Sequence, residues 1–125
     1  MKREKSQGFS LWRNLKYSLA GLIEVTRNEA PMKAELLLLI VGSAILIVWD
    51  MPFVYRAVLF ISLLLPILAE LINSAIERVV DLVTTDYHEL AKAAKDAGSA
   101  IVLIALVITG LVWLSAAYLL CFSGA

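Results

Sequence analysis

The sequence predicts an all-α membrane protein, with three transmembrane helices preceded by an amphipathic helix on the membrane surface. Three observations carry this prediction. Of the 125 residues, 61% are apolar and 18% are charged, and the mean hydropathy is +0.84. Soluble domains average roughly 45–50% apolar and about 25% charged, and one of this size has too little interior to hide the excess. Long stretches carry no charge at all, namely residues 36–49, 57–69 and 97–125. The charges that remain are sorted along the chain: residues 1–33 carry a net +4, residues 34–85 a net −3 and residues 86–96 a net −1. The overall zero is thus a cancellation between segments. It argues against nucleic-acid binding, which draws on a basic excess. The single cysteine, Cys121, excludes an intrachain disulfide framework and a multi-cysteine metal site.

Residues 1–5 are basic enough to start a secretory signal, but the polar stretch through Arg13 replaces the apolar region such a signal needs. The expectation is therefore no cleaved signal and one membrane domain over residues 1–125, without repeats or low-complexity segments. Residues 10–28 follow as the surface helix. Trp12, Leu15, Leu19, Leu22 and Ile23 recur at helical spacing, Arg13, Asn14, Lys16 and Glu24 face away, and Ser10 is placed to cap the helix. No soluble domain is left for this helix to pack on, so its apolar face belongs in the membrane interface.

A membrane helix needs about 20 mostly apolar residues. The first span is read as 32–50, with Lys33 and Glu35 at the interface. Asp50-Met51-Pro52 forms a short turn, and Pro52 suits the first turn of the next helix, where a missing N–H costs little. The second span, 53–84, needs its full length because residues 57–69 alone are too short. A loop at 85–96 leads to the third span, 97–122. The first 33 residues carry seven basic residues and loop 85–96 carries two, whereas the 50–56 turn has only Arg56 and the C-terminus has none. The positive-inside bias places the N-terminus and loop 85–96 in the cytoplasm. Trp49 and Trp113 either anchor at the interface or pack between helices. Gly98, Ser99, Ala100, Ala105, Thr109 and Gly110 favour close helix packing on the third span.

The second span carries acids. Glu70, Asn73, Glu77 and Asp81 fall within about 80° of one another around the helix, in a stripe roughly 16 Å long. Ser74 lies near the same face. Acids inside a span are costly and usually functional. The alternatives are that Glu77 and Asp81 simply emerge into water and that Glu70 pairs with a base. Three carboxylates near the cytoplasmic side suit a divalent cation, and Mg²⁺ is commonly held by one or two carboxylates together with substrate phosphates. Phosphates also need cations, and Lys95 beside Asp96 offers one; Asp96 alternatively caps the third span. Glu29, between Asn28 and Pro31, can join the cluster from another helix. Pro66, four residues before Glu70, removes a helical hydrogen bond and either positions Glu70 or is simply tolerated. No GxxxxGK[ST] loop and no soluble-kinase motif is present, and His88 is the only histidine, which disfavours zinc or a Ser-His-Asp triad.

The run from Glu70 through Asn73, Ser74, Ala75, Glu77 and Asp81, followed by Tyr87-His-Glu-Leu90 and Ala94-Lys-Asp-Ala-Gly-Ser-Ala100, resembles the small prokaryotic integral-membrane diacylglycerol kinases. The likeness extends from about Tyr17 to Ile108. It implies a homotrimer of three-span protomers in the inner (cytoplasmic) membrane, with its active site facing the cytoplasm. The implied reaction moves the γ-phosphate of MgATP to the hydroxyl of diacylglycerol, yielding phosphatidic acid. By matching positions, it implies Glu70 as the general base and Glu29 and Glu77 as the metal-coordinating pair. It likewise implies Lys95 as the phosphate-binding lysine, Asn73, Asp81 and Asp96 as polar active-site residues, and Tyr17 and Ser18 as nucleotide- and lipid-side residues. Glu35 matches a further family carboxylate. Leu19 and Ala20 stand where the family often has tryptophan and a basic residue, and Arg13 is the best match to its surface-helix arginine. The related undecaprenol kinases share the acidic stripe, but residues 87–90 and 95–100 resemble the diacylglycerol branch more closely. A three-helix protomer has little interior, which favours a site between protomers. Two rival classes stand beside this: an oligomer conducting ions through carboxylate rings, and a non-catalytic membrane scaffold. The first leaves Lys95, Asp96 and the surface helix without a role, and the second leaves the acidic stripe without one.

Overall fold

The structure is a computed structural model and describes residues 8–124; the basic start at 1–5 lies outside them. The described residues form four helices: α1 (Leu11–Asn28), α2 (Ala30–Val48), α3 (Phe53–Val83) and α4 (Glu89–Phe122). The last three are each long and apolar enough to cross a membrane.

Helix α1 starts at Ser10, whose Oγ accepts from the Arg13 amide at 3.3 Å. It stops because Pro31 cannot continue it: the ring has no N–H and would strike the carbonyl of Arg27. Only Glu29 leaves helical geometry, at φ −123° and ψ 121°. Its amide closes α1 on the Val25 carbonyl at 3.0 Å, and the same residue opens α2. The junction therefore presents the Glu29 side chain at a fixed point between two helices. Trp12, Leu15, Leu19 and Ile23 of α1 are exposed, while Val25 is buried.

After α2, Trp49 closes the helix on the Ile45 carbonyl at 2.9 Å. Pro52 lies one residue earlier than expected: it is the cap of α3, at φ −58° and ψ 146°, rather than a residue of its first turn. Its ring fixes a φ the helix can follow.

The second connection departs more from expectation. The loop read as 85–96 is short, because α4 begins at Glu89. His88 caps it, with Nδ1 accepting from the Leu90 amide at 3.1 Å. Glu89 suits the positive end of the helix, and the Ala- and Lys-rich stretch through Lys95 has high helix propensity. Asp96 is therefore inside α4, not a cap at its start.

Helix α3 is the hub. It packs on α1, α2 and α4, while the α2 and α4 backbones stay apart among the described residues. The apolar core gathers at the end nearer the α2–α3 turn, where Leu46, Met51, Leu59, Leu63 and Ala116 are buried. Trp49 and Trp113 both pack, half-buried, against this core. Two glycines permit close approach. A Cβ on Gly42 would come within 2.6 Å of Leu63, and one on Gly98 would collide with Asn73 Oδ1. The core thus lies at one end of α3 and the acidic stripe at the other.

Candidate active site

A groove of about 690 Å³ opens between the α1–α2 junction, α3 and α4. Glu29, Glu70, Asn73, Glu77, Arg78 and Asp81 form most of its polar lining, and Val102, Leu103 and Leu106 of α4 form an apolar wall. Helical spacing along α3 brings its four stripe residues together, and the one-residue break at Glu29 adds the fifth polar group from a different helix.

Burial is graded along the stripe. Glu70 is 3% exposed and Asn73 8%, Glu77 is half-buried, and Asp81 is exposed. Asn73 Nδ2 donates to Glu77 Oε1 at 3.5 Å. Its Oδ1 is buried without a hydrogen-bond partner, in the space that only a glycine at 98 leaves open. A buried carboxyl group at the deep end, wetter ones toward the shallow end and an apolar wall opposite suit a reaction between a polar and an apolar substrate.

Both Glu29 oxygens are engaged. Ser74 Oγ donates to Oε2, and Arg78 Nη2 donates to Oε1 at 3.0 Å. The other arm of Arg78 reaches Glu24 Oε2 at 2.5 Å, and Asn28 Nδ2 donates to Glu24 Oε1 at 2.8 Å. Arg78 thereby ties α1 and the junction to α3. In the sequence Arg78 stands out only as one of the two basic residues of the acidic 34–85 segment. Its adjacency to Glu77 was visible, but its partners at 24 and 29 depend on where the chain turns at Glu29.

The remaining candidates are placed as follows. Lys95 Nζ lies 2.6 Å from Asp81 Oδ1, so the cation of α4 meets the shallow end of the stripe. Asp96 faces solvent and pairs instead with Lys92, one turn earlier, at 2.5 Å. Glu35 is buried on α2 and does not line the groove. Nor do Arg13, Tyr17 and Ser18 of α1. Arg13 Nη2 donates to the Gly8 carbonyl at 2.6 Å, and Ser18 Oγ to the Asn14 carbonyl at 3.0 Å.

The donors suit a hard cation that shares its coordination with a substrate. Among the described residues, no three His, Cys, Asp or Glu side chains converge into a cage. Glu29 and Glu77 offer carboxylate oxygens from two elements, and each carboxylate has lone pairs beyond those already used. Few protein ligands, with room for phosphate oxygens, is how Mg²⁺ is usually held.

Comparison with known proteins identifies the family. The model of the prokaryotic diacylglycerol kinase family matches residues 16–117. The diacylglycerol kinase of Escherichia coli (strain K12) is 39% identical over 97 residues, covering 78% of this chain and 80% of that protein. That of Haemophilus influenzae is 41% identical over 98 residues, covering 78% and 83%. That of Helicobacter pylori (strain 26695) is 35% identical over 110 residues, covering 87% and 86%. The match takes in the whole groove, all of α2 and α3, and α4 as far as residue 117. The chain is a multi-pass membrane protein and a kinase, and it belongs to the prokaryotic diacylglycerol kinase family.

Proposed function

We propose that this protein is an ATP-dependent diacylglycerol kinase of the inner membrane, moving the γ-phosphate of MgATP to the lipid hydroxyl to give phosphatidic acid and ADP. The observation that carries the reading is the gradient of burial from Glu70 to Asp81 in one groove. The lipid hydroxyl arrives at the deep end, beside Glu70 and the apolar wall of α4. The nucleotide phosphates arrive from the cytoplasm at the shallow end.

Glu70 accepts the hydroxyl proton as the lipid oxygen attacks the γ-phosphorus, and the bond to the ADP oxygen breaks. Phosphoryl transfer asks the protein mainly for alignment and charge neutralisation. Glu29 and Glu77 would hold Mg²⁺, which would supply neutralisation of phosphate charge. Ser74 and Arg78 fix the Glu29 carboxylate in place. Asn73 steadies Glu77. Lys95 exchanges Asp81 for a phosphate oxygen, and Asp81 keeps the lysine near the groove until nucleotide binds.

The protein acts as a homotrimer. In support, the α2 and α4 backbones stay apart among the described residues, and one protomer leaves the groove open along its side. A neighbouring copy brings Arg13, Tyr17, Ser18 and Asp96 to nucleotide and lipid, and the exposed Trp12, Leu15, Leu19 and Ile23 seat α1 on the membrane surface.

The test is purified protein given γ-labelled ATP, Mg²⁺ and diacylglycerol in mixed micelles. Label should appear in phosphatidic acid and vanish when Mg²⁺ is chelated. Absence of labelled lipid, with ion flux in reconstituted vesicles that needs no ATP, would replace the kinase with the conducting oligomer.

A further inference from the structure

Helix α3 contains a proline, Pro66, one turn before Glu70 and almost fully buried. Proline has no N–H, so the carbonyl four residues earlier, that of Ser62, receives no helical hydrogen bond. Within a membrane no water replaces it, and such a carbonyl needs another donor. One is present. Thr109 of α4 places its Oγ1 2.9 Å from the Ser62 carbonyl oxygen. The same hydroxyl is 3.0 Å from the Ala105 carbonyl, its own helix's back-bonding partner. A hydroxyl has one proton to give. Ala105 already receives the Thr109 amide within α4, whereas Ser62 receives no amide, so the Ser62 carbonyl is where the proton is needed.

The surroundings reinforce this link. Trp113 Nε1 donates to Ser62 Oγ at 3.1 Å, and Ser62 Oγ donates to the Leu59 carbonyl at 2.7 Å. Ser62 is 4% exposed and Thr109 6%. Both interhelical bonds therefore converge on the residue whose carbonyl Pro66 released. On the far side of Glu70, α3 meets α4 again where Asn73 packs on Gly98. Glu70 lies between these two points of attachment.

We propose that Thr109 substitutes for the amide that Pro66 removes, and that this substitution fixes the course of α3 into Glu70. Thr109 is thus a positioning residue for the base, a role that rests on the kinase reading given above. Nothing in the spacing of either helix by itself pairs the two residues; the pairing follows from where α4 crosses α3.

The test is a double-mutant cycle of Thr109→Val, which keeps shape and removes the hydroxyl, with Pro66→Ala, which returns the amide. Thr109→Ser is the conservative control. Thermal unfolding in detergent and turnover are read on each. Thr109→Val should lower the unfolding midpoint and reduce kcat by roughly three- to tenfold, the range of one interhelical hydrogen bond in a membrane protein. KM for MgATP should hold, because Arg78 and the Lys95–Asp81 pair lie further along α3, beyond Glu77. Thr109→Ser should restore both properties. In the Pro66→Ala background, Thr109→Val should have little effect on either, because Ser62 again has an amide. Should Thr109→Val fail to accumulate, recovery in that background reads the same coupling. Independent effects of the two substitutions, or serine no better than valine, would overturn the pairing. Coupled unfolding with unchanged turnover would overturn the positioning of Glu70. The unfolding cycle needs no catalysis, so an inactive parent protein would refute the kinase reading and still leave the pairing tested.

Discussion

The two ends of α3 solve different problems with the same helix. The end near the α2–α3 turn is packed: Leu59 and Leu63 are buried with Leu46, Met51 and Ala116, and Trp113 covers them. The other end is wired: Arg78, Lys95 and Ser74 hold the carboxylates of Glu29 and Asp81 across helix boundaries. Packing at the first end leaves the second free to be a groove, because a three-helix row anchored at one end need not be filled at the other. The difference also separates two kinds of damage. A lesion at the packed end should cost folded protein, and one at the wired end should cost chemistry.

The largest expected loss is at Glu70. Glu70→Gln removes the proposed base and keeps the shape, so turnover should fall by about 10²–10⁴-fold, while nucleotide binding followed by fluorescence persists. Retained turnover would take the base role from Glu70.

Leu59→Ala probes the opposite end. It opens a cavity in the core beside Leu63, and the expected cost is about 2–4 kcal/mol. Thermal unfolding in detergent should show it, while turnover per folded molecule is preserved. Equal loss of turnover per folded molecule would erase the distinction between the ends.

Glu29→Ala and Glu77→Ala should raise the Mg²⁺ concentration for half-maximal turnover by about 10–100-fold, since even outer partners of a metal matter that much. An unchanged Mg²⁺ titration would remove them as ligands. Glu29→Ala should in addition loosen α1, because Arg78 loses one of its two partners.

The smallest effect belongs to Arg78→Ala. Its ion pairs are partly exposed, with Arg78 at 45%, Glu24 at 50% and Glu29 at 20%, so water discounts them to about 1 kcal/mol or less. Faster amide exchange in α1, with α3 unchanged, is the expected readout. Unaltered exchange in α1 would mean the junction at Glu29 holds the helix without Arg78.

What was legible in the sequence follows from periodicity. Apolar runs reveal helices long enough to span a membrane, and a 3.6-residue repeat puts Glu70, Asn73, Glu77 and Asp81 on one face whatever the neighbours do. Ser10 as a cap and Glu29 as a contributor from a second helix were readable for the same local reasons. Contacts that depend on how helices cross were not. Arg78 with Glu24 and Glu29, Ser74 with Glu29, and Thr109 with Ser62 join residues more than 40 positions apart. The start of α4 was misjudged for another reason. Charge marked where the membrane ends, and helix propensity carried the helix on past that point through Lys95 and Lys92 to Glu89.

The account's central claim is a choice of substrate as well as a reaction, and one competition tests both. The purified protein is given γ-labelled ATP and Mg²⁺ with diacylglycerol and undecaprenol together in equal amounts, and the labelled lipids are separated. The groove and the family predict label chiefly in phosphatidic acid. Label in undecaprenyl phosphate alone, or in neither lipid, would contradict the account.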